Sequence, residues 1–238
     1  MTNILALDTS TDACSVALQQ GQSVQHIWEL VPRQHNQRLF SMLEELLPSG
    51  GMSDLDVELL AYAEGPGSFT GLRIAASAVQ GIAFARDLPV VGISTLALMA
   101  QGARRRGVLE PGDEVLVMLD ARINEIYWGV YRVVGDLVEA IVPDRVSAPG
   151  EVEMPEISGP LSCIGNAVSC IEQVPGLEEI HIQQVAEDAW PDSFDLLTLA
   201  EVAFSHGQAV SADQVQPVYL RNEINWKKIS EQGPAGGS

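Results

Sequence analysis

Among the residues whose types and spacing can carry chemistry, the densest run is Gly65-Pro66-Gly67-Ser68-Phe69-Thr70-Gly71-Leu72-Arg73, placed by its flanks between a strand and a helix. Backbone N–H groups at such a junction can receive an anion. The run is not a Walker A loop, which needs Gly, four residues and then Gly-Lys-Ser/Thr, and no lysine lies in this region. Nor is it a nucleophile elbow, because Gly-x-Ser-x-Gly would need glycine where Pro66 and Thr70 stand. Two uses stay open for it: a tight turn that exploits glycine's φ freedom with Ser68 or Thr70 as N-cap, and a phosphate cradle. Two further corners end apolar runs in an aspartate, Asp8-Thr9-Ser10-Thr11 and Asp120-Ala121-Arg122. Asp8, Thr9, Ser10 and Arg122 are therefore candidate nucleotide contacts, although an aspartate at a strand end is also an ordinary turn starter.

Other reactive side chains are dispersed. No two of His26, His35, His181 and His206 have the i, i+4 spacing that places two metal ligands on one helix face. Cys14, Cys163 and Cys170 form neither an even disulfide framework nor a close metal-binding pair. A Cys/His nucleophile pair stays open, against the usual inertness of buried free cysteines. The pairs Glu44-Glu45, Glu178-Glu179 and Glu187-Asp188 read as solvated faces. The pattern predicts no metal site and no cofactor.

The elements that must position these residues follow from periodicity and breakers. The chain has 238 residues, 46% of them hydrophobic, with 13 Lys plus Arg against 32 Asp plus Glu. That composition supplies a sizeable core, and the net charge of −19 opposes a phosphate backbone. The opening Met1-Thr2-Asn3-Ile4 lacks the basic start of a secretory signal, and no apolar run reaches a membrane span of about 18 residues, so a cytoplasmic, reduced protein is expected. Apolar periods predict strands at 4–8, 13–19, 23–30, 57–63 and 89–93, and helices at 34–47, 69–85 and 94–104. A meander followed by crossover units is the layout of a ribonuclease H-like half-domain.

Val115-Leu116-Val117-Met118-Leu119-Asp120 repeats the strand-ending-in-Asp of Leu5-Ala6-Leu7-Asp8, which points to a second copy. The expected fold is α/β, two ribonuclease H-like subdomains as in the actin-like ATPase superfamily, with the second reduced. After a strand at 125–133 it offers a proline-rich stretch at 143–160 and only short later elements at 161–164, 167–173 and 194–206. The expected division is 1–104, 105–226 with its last helix free to pack on the first half, and a flexible tail at 227–238. Within the helix 69–85, Arg73, Ser77 and Gln80 form one narrow polar stripe, and Gly71, Ala75 and Ala78 would admit a close neighbour. A helix so apolar is either packed between layers or covers an association site.

Taken in order, several segments carry a resemblance: Ile4 to Thr11, Cys14-Ser15-Val16-Ala17-Leu18, Gly65 to Ile74, Gly92-Ile93-Ser94-Thr95-Leu96, Asp120-Ala121-Arg122, Pro217-Val218-Tyr219-Leu220-Arg221-Asn222 and Trp226-Lys227-Lys228. Together they resemble the TsaB (YeaZ) family of the bacterial machinery that makes threonylcarbamoyladenosine in tRNA. The resemblance implies a degenerate actin-like ATPase paralogous to the catalytic subunit TsaD. It aligns TsaD's two metal-binding histidines with Thr95 and Met99, which keep the spacing but not the chemistry. It thus implies a noncatalytic scaffold or activator that pairs with TsaD and, with TsaE, supports modification of tRNAs reading codons that begin with adenine. The helices at 34–47 and 69–85 would form the interface, with Leu39, Met42, Leu43, Leu46, Phe69, Arg73, Ser77, Ala78 and Gln80 as contacts, and would pair a homodimer when TsaD is absent. Glu64, before Gly65, departs from the small or basic residue expected there and argues against phosphate at the turn. Competing expectations are a small-molecule kinase of the same superfamily and a peptidase-like hydrolase.

Overall fold

The computed structural model of the chain describes residues 1–47 and 56–221, so the expected tail at 227–238, the last residues of the expected second subdomain and Trp226-Lys227-Lys228 lie outside the described residues. The first part runs β1 (Ile4–Asp8), β2 (Ala13–Gln20), β3 (Ser23–Leu30), α1 (His35–Leu46), β4 (Leu59–Gly65), α2 (Phe69–Arg86), β5 (Val90–Ser94) and α3 (Thr95–Arg105). The second runs β6 (Glu114–Arg122), β7 (Glu125–Val134), β8 (Leu137–Ser147), β9 (Leu161–Ile164), β10 (Ile182–Ala186) and α4 (Ser193–Ser205). The sheets are β3-β2-β1-β4-β5 and β8-β7-β6-β9-β10. In each, an antiparallel meander is followed by two parallel strands beside its first member. This duplicated order is the ribonuclease H-like arrangement of the actin-like ATPase superfamily.

The reduction expected in the second half takes a specific form. Its sheet has five strands, whereas the crossovers that are helices in the first half shrink to 3₁₀ turns, Pro149–Glu151 between β8 and β9, and Val168–Gln173 and Leu177–Glu179 between β9 and β10. Strand β8 crosses part of the proline-rich stretch, and Pro143 is tolerated there because β8 is an edge strand whose pairing shifts register between Val142 and Arg145.

Helices α1 and α2 cover one face of the first sheet through Leu39, Met42, Leu43, Leu46, Ala75, Ala76, Val79 and Ala83. The opposite face takes α4 and Leu98 of α3. The other side of α3, through Leu96, Met99, Ala100 and Ala103, packs on the second sheet. Apolar burial of this kind stabilises by roughly 25 cal/mol per Å², and α3, apolar on nearly every side, is common to both sheets. Among the described residues no helix is long and apolar enough to cross a membrane.

The first corner is set by close backbone approach. Asp8 Oδ1 accepts from Ser10 N at 2.9 Å, Thr9 Oγ1 donates to Gly71 O at 2.7 Å, and Ser68 N donates to Ser10 O at 2.7 Å. A Cβ on Gly67 would lie 2.2 Å from Ser10 O, and one on Gly71 1.9 Å from Thr9 O. The glycine run is thus needed for packing: Ser68 caps α2 by accepting from Gly71 N, and two amides of the supposed phosphate cradle are already engaged. Gly71 faces the corner, against the Thr9 carbonyl, whereas Ala75 is buried in the core that α2 shares with α1 and the first sheet.

Helix α4 is pinned by charge. Asp192 caps it, accepting from Phe194 N at 2.9 Å, and meets His26 Nε2 at 2.6 Å and Arg105 at 3.0 Å. Arg105 also holds Asp195, whose carboxyl is almost fully buried. Burial pushes both carboxyls up. For Asp192 the His26, Phe194 and Arg105 contacts outweigh it and hold the group below the usual range, whereas for Asp195 burial wins.

Two stability measurements follow. Gly71→Ala should lose about 1–3 kcal/mol to overpacking, whereas Gly81→Ala, with nothing within 4 Å of the added carbon, should gain up to about 1 kcal/mol of helix propensity; urea unfolding of both variants reads the contrast. Burial raises Asp8 to about 6, against the hydrogen bond from Ser10. The folded chain then holds a proton at Asp8 that the unfolded chain has released, so the contribution of Asp8 to stability falls as pH rises from about 4 to about 6 and is level above that. Asp8→Asn should remove about 2–3 kcal/mol of this slope, checked by thermal unfolding from pH 4 to 7.

Candidate functional site

The two Asp corners face each other across a cleft of about 380 Å³ lined by Ser10, Thr11, Asp12, Gly67, Ser68, Asp120, Arg122, Tyr127, Asn166 and Arg221 among others. On its far wall Arg122, Ile123 and Asn124 turn the chain from β6 to β7 with φ of 67°, 56° and 59°. Asp120 takes the Arg122 amide at 2.8 Å, and its own amide donates to Asn166 Oδ1 at 2.8 Å. Of the candidate nucleotide contacts, Ser10 and Arg122 line the cleft. Asp8 and Thr9 do not; both are fully buried behind the corner, where Asp8 holds Ser10 and Thr9 holds Gly71. Both arginines of the cleft are paired, Arg122 with Asp120 at 3.0 Å and Arg221 with Glu125. With Asp12 on the near wall as well, the described residues of the cleft pair each arginine with a carboxylate.

Behind the glycine turn lies a second polar cluster. Glu64 on β4 faces Asp144 on β8, and both carboxyls are pushed up, Glu64 by burial and the Asp144 charge, Asp144 by burial despite hydrogen bonds from Ser94 and Tyr131. Ser94 Oγ donates to Asp144 at 2.5 Å while accepting from Leu96 N and Ala97 N as the cap of α3. Tyr131 also donates to Asp144 and is raised by burial. A Cβ on Gly92 would meet the Glu64 carboxylate, so a larger residue there would have to move that side chain. The departure noted at residue 64 is therefore a contact between the two sheets.

The outer face of α1 and α2 is open. A groove between them is lined by Asn36, Phe40, Phe69, Thr70, Arg73, Ile74, Ser77 and Ala78. Phe40 is 50% exposed, Phe69 55% and Phe84 85%. The structure corrects the α1 part of the expected interface: Leu39, Met42, Leu43 and Leu46 are core residues on the first sheet. On α2, Phe69, Arg73, Ser77 and Ala78 line the groove. Gln80 donates to Ala212 O at 2.9 Å and Arg73 Nε to Tyr219 Oη at 2.9 Å, so part of the polar stripe holds the chain's own later segment. Phe40 was missed because the apolar stripe 39, 42, 43 and 46 was assigned to the interface although it faces the sheet, and Phe84 because the expected contacts on α2 stopped at Gln80. The signal was present for Phe84, which continues the exposed stripe 73, 77, 80 at the next helical step.

Thr95 and Met99 lie buried in α3, with the Met99 methyl beside Gly165. Among the described residues no three His, Cys, Asp or Glu side chains gather as metal ligands. The Cys14 and Cys163 thiols are both pushed up to about 12 by burial, which removes them as nucleophiles near neutral pH.

The family model described as TsaD, tRNA N6-adenosine threonylcarbamoyltransferase, matches residues 26–233. The tRNA threonylcarbamoyladenosine biosynthesis protein TsaB of Escherichia coli K12 is 38% identical over 232 residues, which cover 95% of this chain and 97% of that protein. Two solved structures from Pseudomonas aeruginosa, one of YeaZ and one of an uncharacterized protein with similarity to peptidase YeaZ, superpose with a TM-score of 0.84 at 37% identity, covering 92% and 93% of this chain and all of theirs. Matched almost throughout its length by a TsaB protein and by structures of the same fold, the chain belongs to the TsaB family.

Proposed function

We propose that this chain is a noncatalytic scaffold and activator subunit in the biosynthesis of threonylcarbamoyladenosine in tRNA, acting in the cytoplasm by binding the catalytic paralogue TsaD together with TsaE. The observation that carries this reading is the open groove between α1 and α2 with its exposed Phe40 and Phe69, and the exposed Phe84 further along the outer face of α2. Solvent-exposed aromatics around a groove are the composition of an interface anchor, and α2 has its inner side already filled by the first sheet. Family membership supplies the pathway, and the paired arginines of the cleft favour a subunit over a free-standing kinase. The acidic balance of −19 fits a subunit that leaves the anionic tRNA to its partner. In this reading the chain divides near residue 104, ahead of β6, and α4 serves the first sheet although it follows the second in sequence. Without TsaD the same face would pair two copies about a twofold axis.

The test is light scattering of this chain, its cognate TsaD and their mixture after size-exclusion chromatography. A stable heterocomplex is expected, and Phe84→Glu and Phe40→Glu should each weaken it at least tenfold, about 1.4 kcal/mol, with unchanged circular dichroism because both rings are exposed. Failure of the wild-type chain to bind TsaD, or full binding by both variants, would refute the proposal.

A further inference from the structure

The contacts made by residues 215–221 link two places that the fold otherwise keeps apart. The segment first lies along β4: Tyr62 Oη donates to Gln216 O at 2.9 Å, and Val218 N donates to Glu64 O at 2.7 Å. Gly65 permits this approach, since a Cβ there would lie 2.5 Å from Val218 O. The segment then reaches the groove. The Tyr219 ring lies 5.4 Å from that of Phe69, and Arg73 donates to Tyr219 Oη while its guanidinium stacks 3.9 Å above the Phe69 ring. Two residues on, Arg221 crosses to the other half. It donates to Ala121 O at 3.2 Å and Arg122 O at 3.4 Å and pairs with the Glu125 carboxylate, thereby holding the left-handed β6–β7 turn.

We propose that residues 215–221 form a strap that sets the width of the cleft and couples it to the groove, so that a change at Arg73 or Phe69 is felt at the β6–β7 turn. The physical basis is a continuous set of contacts. Phe69 lines both the groove and the cleft, Tyr219 is held by Phe69 and Arg73, and a fixed Tyr219 places Arg221 on the carbonyls of the far wall. The three acceptors, two carbonyls and the Glu125 carboxylate, converge on the one Nη2 nitrogen of Arg221, so a single cationic group holds both ends of the β6–β7 turn. Elsewhere α3 joins the two sheets through apolar packing; the strap adds a polar tie between the near and far walls of the cleft. A partner or ligand that displaces Arg73 or Phe69 would loosen that tie without touching the second half. The strap belongs to this chain alone and stands whether or not TsaD is what enters the groove.

Pulsed electron resonance between spin labels at Ala85→Cys on α2 and Ser169→Cys on the second half, in a Cys170→Ser background diluted with unlabelled chain, reads the separation of the halves. The strap predicts a single narrow distance in this parent. Arg221→Ala and Arg73→Ala should each broaden it at least twofold or shift its maximum. Parent-like distributions in both variants would overturn the strap, and broadening by Arg221→Ala but not by Arg73→Ala would overturn the coupling. If circular dichroism shows either variant unfolded, Glu125→Gln, which removes the carboxylate that Arg221 pairs with, and Tyr219→Phe, which removes the hydroxyl that Arg73 holds, take their place, with the same broadening expected and parent-like distributions in both overturning the strap.

Discussion

Everything distinctive about this chain rests on how closely the start of α2 is allowed to approach the first corner. Backbone carbonyls of Thr9 and Ser10 occupy the space where side chains at residues 71 and 67 would stand. Ser68 and Thr9 fasten the crossing with hydrogen bonds to Ser10 and Gly71. An aspartate corner and a glycine run that in an ATPase would be spent on phosphate are here spent on each other. With its inner side committed to the corner and sheet, α2 becomes an outer layer whose remaining face carries Phe69 and Phe84 into solvent.

The second half shows which parts of a duplicated fold can be given up. Its five strands keep their order, because the central strand β6 needs neighbours on both sides to satisfy its backbone. Its crossover helices can shrink because α3 covers one face of that sheet and short turns with Val152, Val168, Val174 and Leu177 close the other. The cleft left between the halves has its cations tied to Asp120 and Glu125.

The central strands, the first three helices and the aspartate corners were legible because strong periodicity and breakers agree there. The edge strands β8 and β10 were not. Pro143 reads as a loop, and Gln183 and Gln184 hide the alternation of a strand that has only one paired side. The side chains expected on α1 were misplaced, because apolar character alone cannot separate Leu39 and Met42, which are buried in the core, from Phe40, which faces solvent. The role of Arg221 was invisible, since its partners Ala121, Arg122 and Glu125 are about a hundred residues away in sequence.

The most direct measurement is threonylcarbamoyl transfer to unmodified tRNA by TsaD and TsaE with and without this chain, alongside ATP consumption by the chain alone. The account predicts product only when this chain is present and no turnover by the chain in isolation. Modification at full rate without it, or ATP hydrolysis by the chain alone, would contradict a noncatalytic subunit.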